Sequence, residues 1–234
     1  MSASRDAKGR KHPLADVTGS LEHYCPDVSR LPYLRHDELD PDGQKVWDSI
    51  VRTRGEQFVN EQGGLVGPFN AFVHAPDVGG RLASLGAALR FGTSIGRRLT
   101  EVAIITVGAR WKAEFEWWAH AQMAREHGVP DAVVDAIGRG EDPPFVADDE
   151  RAVYVVACQL TQTGQLGQDA YDAARQFLGD TGMVELVSLR VLHPRIVPTE
   201  RLCCASSVRC PADVGELCSR CRVTWLRLYR FKTP

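Results

Sequence analysis

Glu116 and His120 stand four residues apart in the run Glu114-Phe115-Glu116-Trp117-Trp118-Ala119-His120, and Glu101 lies upstream at the head of the apolar stretch Val102-Ala103-Ile104-Ile105. On an α-helix a four-residue step leaves two side chains only about 40° apart. The pair therefore shares one face and can exchange a proton directly or through a water. A carboxylate and an imidazole so placed are the minimum requirement for general acid–base catalysis. An exposed pair on a solvated helix face would have the same spacing. Two neighbouring indoles, Trp117 and Trp118, argue instead for a partly buried setting, where the pKa values of such groups move most. For Glu101 the competing reading is a first-turn glutamate favoured by the helix dipole.

These residues need helices to position them, and helical signals dominate the chain. Asp40-Pro41 reads as an N-cap followed by proline at N1, opening a helix that ends near Gly55. Gly63 to Pro68 reads as a loop, and Pro76 opens a helix with an apolar stripe at Leu82, Leu85 and Leu89. Helices are expected over about 97–109 and about 112–127, the latter stopped by Gly128. A short helix follows Pro130. Asp148 or Asp149 caps the next, and the last two span about 169–178 and 181–192. Val102 to Val107 could be a buried strand on composition alone, but no alternating strand pattern appears, so the expected class is all-α.

Composition bounds the function. A chain of 234 residues with 44% hydrophobic and 25% charged content suits one soluble domain. Its net charge of −2 and the lack of a basic stripe interleaved with aromatics give no support for a nucleic-acid partner. No stretch has the length to cross a bilayer, and the polar N-terminus lacks the apolar segment of a secretory signal, so no membrane partner and a cytoplasmic location are expected. Residues 1–30, broken by Pro13, Gly19 and Pro26, read as a flexible arm.

Glu101, Ala113, Glu116 and His120 fall where alkylhydroperoxidase D-like proteins carry Glu, Cys, Cys and His in the pattern E-x11-C-x2-C-x3-H. With both cysteines absent, the chain resembles the carboxymuconolactone decarboxylase branch of that superfamily. The likeness extends over about residues 30–189, through Arg30-Leu31-Pro32, Gly67-Pro68-Phe69-Asn70, Leu85-Gly86-Ala87-Ala88-Leu89-Arg90-Phe91, Ala124-Arg125-Glu126-His127-Gly128-Val129 and Val184-Glu185-Leu186-Val187. It implies a single helical bundle over residues 31–189 and a homo-oligomer, trimer or hexamer, acting on a small molecule. The implied reaction is loss of carbon dioxide from a carboxylated lactone such as 4-carboxymuconolactone, without metal or organic cofactor. His120 would donate the proton, with Glu116 as its orienter and Glu101 as a second relay. Arginines suit the substrate carboxylates. Arg90 and Arg110, each beside apolar sequence, are the candidates, and Asn70 and His74 would offer polar contacts at the pocket mouth; the competing reading is a snorkelling surface arginine for the first two and a turn or packing role for the others.

Two other functions compete with this reading. A thiol peroxidase would need the two cysteines that the chain lacks. A non-catalytic oligomeric binding protein would keep the fold and a relic of the site.

Residues 190–234 read differently from the rest. They hold five of the seven cysteines and nine Lys or Arg against three Asp or Glu. In the resembled family Val-Glu-Leu-Val runs on into Gly-Tyr-Tyr-Thr, whereas here Leu189 is followed by Arg190-Val191-Leu192-His193. One choice of codons, CGG GTA CTA CAC C, would encode the latter, and read one base later would encode Gly-Tyr-Tyr-Thr. The segment therefore reads as a shifted frame with an irregular tail, its helix failing soon after Leu192 at Pro194 and Pro198. Zinc ligation by Cys210, Cys218 and Cys221 is the alternative.

Overall fold

The computed structural model describes the backbone of residues 29–203 and the side chains of residues 29–189. Eight α-helices succeed one another among these residues: α1 (Pro41–Arg54), α2 (Pro68–His74), α3 (Pro76–Phe91), α4 (Arg97–Trp111), α5 (Glu114–Glu126), α6 (Asp131–Arg139), α7 (Asp148–Thr163) and α8 (Gln168–Cys203). Only two isolated bridges, Arg35 to Gly64 and Val59 to Leu65, pair extended backbone there. The all-α expectation holds. Among the described residues no helix is long and apolar enough to cross a membrane.

Local chemistry explains most boundaries. The Asp40 carboxylate accepts the Gly43 N–H at 2.7 Å, Pro41 occupies N1, and Gly55 closes α1 at φ 95°. Helix α2 was not foreseen, because Gly67-Pro68 reads as a turn; Gly67 does turn at φ 60°, but Pro68 then serves as a helix N1. For α7 the cap is Ala147 rather than an aspartate. Asp148, Asp149 and Glu150 form its first turn and favour it through the helix dipole instead.

The expected break before Thr181 occurs at Gly179, whose φ of 63° lies in the region that favours glycine. Beyond it the helix passes Leu192, Pro194 and Pro198 and ends at Cys203, later than the sequence reading placed it. Proline removes one donor, yet its fixed φ of about −65° is itself helical. Residues 1–28 and 204–234, on which the flexible arm, the irregular tail and the three candidate zinc cysteines fall, lie outside the described residues.

The chain divides into two compact units, one including Ser84–Pro198 and the other including Cys25–Ala83. In the second, α1 packs on α2, and Val46 and Ile50 of the one and Phe69 and Phe72 of the other are buried. In the first, α4 lies against α5, α6 and α7. Every residue of α4 from Leu99 to Ala109 is buried, so its apolar residues surround the helix instead of forming a stripe. That explains why Val102 to Val107 resembles a buried strand in composition.

Candidate active site

Two adjoining helices carry the acid–base residues. Trp111 ends α4, Lys112 turns the chain in the left-handed conformation at φ 52°, and Ala113 caps α5. The Lys112 N–H bonds back to the Ala109 and Gly108 carbonyls, and the Ala113 N–H to Gly108 at 2.9 Å. This short link brings α5 back along α4. Phe115, Ala119 and Met123 are buried in α5, while Trp117 and Trp118 are half-buried. The Trp117 ring lies so close to Gly138 of α6 that a Cβ there would sit 2.5 Å from a ring carbon.

This packing encloses three ionisable side chains. Glu101, Glu116 and His120 are exposed by 0%, 4% and 5%, which excludes a solvated surface pair. His120 Nδ1 lies 2.6 Å from Glu101 Oε2, and His120 Nε2 lies 3.4 Å from Glu116 Oε2. The imidazole therefore stands between two carboxylates on opposite ring nitrogens. The 2.6 Å contact is a charge-assisted hydrogen bond, with the proton on Nδ1 donated to Glu101. That leaves Nε2, facing Glu116, as the nitrogen that can give or take a proton.

Burial pushes the Glu101 carboxyl upward, but the charge and hydrogen bond of His120, together with the charges of Arg90 and Arg97, outweigh it and hold the group below the ordinary carboxylate range. Glu101 is thus a permanent anion near neutral pH. The sequence reading assigned orientation of His120 to Glu116 and a relay role to Glu101. The distances favour the reverse, because the short bond that fixes the ring comes from Glu101.

The other sequence candidates are spread out. Arg90 is half-buried, donates from Nη2 to Met123 Sδ at 3.0 Å, and carries its guanidinium 5.0 Å from the Phe91 ring centroid. Arg110 lies nine residues along α4 from Glu101, about 13 Å along the helix axis at 1.5 Å per residue. It acts electrostatically on Cys158 of α7, and its Nε is buried without a hydrogen-bond partner. It is not brought to His120. Asn70 and His74 belong to the other compact unit and hold its extended N-terminal segment: the Asn70 amide donates to Ser29 Oγ at 3.1 Å and the Leu31 carbonyl at 3.3 Å, and His74 Nε2 meets the Pro32 carbonyl at 2.9 Å.

Arg97 was missed. Its Nη2 stands 3.4 Å from Glu101 Oε1, an i,i+4 pair at the start of α4. The spacing alone could have found it. Among the described residues no group of three or more His, Cys, Asp or Glu side chains is arranged to hold a metal ion.

No protein-family model and no curated protein matches the chain. Solved structures do match in fold. An alkylhydroperoxidase AhpD core, an uncharacterized peroxidase-related protein from Ralstonia eutropha JMP134, aligns with a TM-score of 0.60 at 15% identity, over 76% of this chain and 92% of its own. The debrominase Bmp8 aligns with a TM-score of 0.57 at 13% identity, covering 76% and 89%. A peroxidase-related protein from Silicibacter sp. TM1040 gives 0.56 at 14%, covering 75% and 88%. The fold is that of the alkylhydroperoxidase D core, as the resemblance in sequence implied.

Proposed function

We propose that this chain is a cofactor-independent carboxy-lyase of the carboxymuconolactone decarboxylase type, acting on a small carboxylated lactone or a related acid. The observation that carries the reading is the His120 imidazole held between two buried carboxylates. In such a reaction the bond from the ring carbon to the departing carboxylate breaks, carbon dioxide leaves, and the electron pair spreads into the conjugated lactone. His120 Nε2–H then delivers a proton to carbon. The imidazole is left neutral with Nδ1–H still on Glu101, and Glu116 returns a proton from water to Nε2. Glu101 stabilises the imidazolium before transfer and keeps the ring oriented throughout. Arg90, close enough to act on the charge of Glu101, supplies a cation for a substrate carboxylate.

The names of two of the structural neighbours suggest a peroxidase. That chemistry needs two thiols, and Ala113 and Glu116 stand where the cysteines would be. Assembly into a trimer or hexamer belongs to the same proposal. Exposed Phe177 and Val184 on α8 and Leu85 on α3 are apolar surface of the kind that subunit contacts cover.

The test is carbon dioxide release from 4-carboxymuconolactone by the purified chain. His120→Ala or Glu116→Gln should lower turnover by at least about a hundredfold, the scale of a positioned acid or base. Near-wild-type turnover in both variants would remove the pair from the mechanism.

A further inference from the structure

We propose that Arg97 is a positioning residue for the proton-transfer site, its charge drawing one oxygen of Glu101 toward it so that the other stays on His120 Nδ1. The inference deepens the acid–base reading above and rests on it. Helix α4 opens with Arg97-Arg98 and has no acidic residue in its first turn. Cations there oppose the helix dipole. Contacts made elsewhere offset that placement for both arginines.

Arg98 has an evident one. It pairs with Asp149 and Glu150, both at 2.5 Å, and ties α4 to the start of α7. Arg97 points the other way. Its Nη1 donates to the Arg90 carbonyl at 2.8 Å, its Nε meets His127 Nε2 at 3.4 Å, and its guanidinium stands 5.0 Å from the Phe91 ring centroid. These contacts fix the plane of the guanidinium and leave Nη2 facing Glu101 Oε1 at 3.4 Å.

His120 hydrogen-bonds Glu101 Oε2, while Oε1 is buried without a hydrogen-bond partner and has the Arg97 guanidinium 3.4 Å away as an ion pair. The terminal torsion of a glutamate is broad, so a carboxylate held at one oxygen alone can rotate. Rotation would lengthen the bond to Nδ1, release the imidazole tautomer and turn Nε2 away from Glu116. Arg97 itself is 31% exposed in its side chain, so geometry rather than a strong buried ion pair is its contribution.

The test uses full-length protein labelled with 15N-histidine, in the wild type and in Arg97→Gln, Arg97→Lys and Arg98→Gln; the His120 signals are identified by their loss in His120→Ala. At alkaline pH, where the imidazolium has given up its Nε2 proton, wild type and Arg98→Gln should show His120 with its remaining proton on Nδ1, whereas Arg97→Gln should show mixed tautomers. On 4-carboxymuconolactone, kcat of Arg97→Gln should fall roughly fivefold with KM nearly constant, the scale of a partly exposed ion pair. Arg97→Lys should recover most of the loss. If Arg97→Gln fails to fold, Arg97→Met, closer in length to arginine, carries the same comparison. A single Nδ1–H tautomer in the Arg97 variants would overturn the proposal, as would a rise in KM with kcat unchanged, which would make Arg97 a substrate contact. If wild type shows no turnover on the lactone, the decarboxylase reading fails by itself, and the tautomer comparison still decides the role of Arg97.

Discussion

Replacing Glu101 with glutamine keeps the shape of the side chain and removes its charge. Glu101 is fully buried, accepts from His120 Nδ1 at 2.6 Å and lies 3.4 Å from Arg97. A hydrogen bond to a charged group contributes about 1.5–3 kcal/mol. If that difference is expressed in the transition state, where the imidazole changes charge, turnover falls by about ten- to a hundredfold. Glutamine can still accept from Nδ1–H, so the loss should be smaller than in His120→Ala.

Stability gives a second readout. The folded carboxyl of Glu101 is held below its ordinary value of 4.5, so its contribution is fully present above that value and is lost as pH falls through the lower, folded value. Thermal unfolding should therefore show Glu101→Gln melting below wild type at neutral pH, with the gap narrowing on the acid side. Initial rates of carbon dioxide release and melting curves from about pH 3 to pH 8 measure both effects. Turnover within twofold of wild type, or a melting gap independent of pH, would refute the argument that Glu101 is the anion holding His120.

Three further outcomes follow from other parts of the fold. Gly138→Ala places a Cβ 2.5 Å from the Trp117 ring, and the overpacking should destabilise the chain by about 1–3 kcal/mol, measured by denaturant unfolding. Burial pushes the Cys158 thiol up to about 12 against the opposing pull of Tyr154 and Arg110, so iodoacetamide at pH 8 followed by mass mapping should leave Cys158 unmodified in the native protein and alkylated in denaturant. Light scattering at micromolar concentration should give a trimer or hexamer, and a monomer would count against the assembly that the sequence resemblance implies.

The legible parts of this chain were those in which neighbouring residues share one cause. Glu116 and His120 could be paired because an i,i+4 step fixes two side chains on one helix face whatever surrounds it. The starts of α1 and α3 were legible because Asp40-Pro41 and Pro76 are strong local signals. Glu101 was found through the spacing of a family pattern, but its role was not, since no spacing says which carboxylate reaches Nδ1 and which Nε2. That depends on how the left-handed turn at Lys112 sets α5 against α4. Arg110 was chosen for its apolar neighbours in sequence, and the helix carries it to the far end of α4 beside Cys158. Asn70 and His74 were polar residues near a turn, and their polar atoms hold residues 29–32, contacts that span about forty positions and leave no periodic trace. Arg97 shows the opposite case. Two arginines at a helix start with no acid beside them break a local rule, and each has a carboxylate partner that accounts for it. A charge placed against the helix dipole was thus a usable pointer to a carboxylate partner, which is Glu101 of the site for Arg97 and Asp149 with Glu150 at the start of α7 for Arg98.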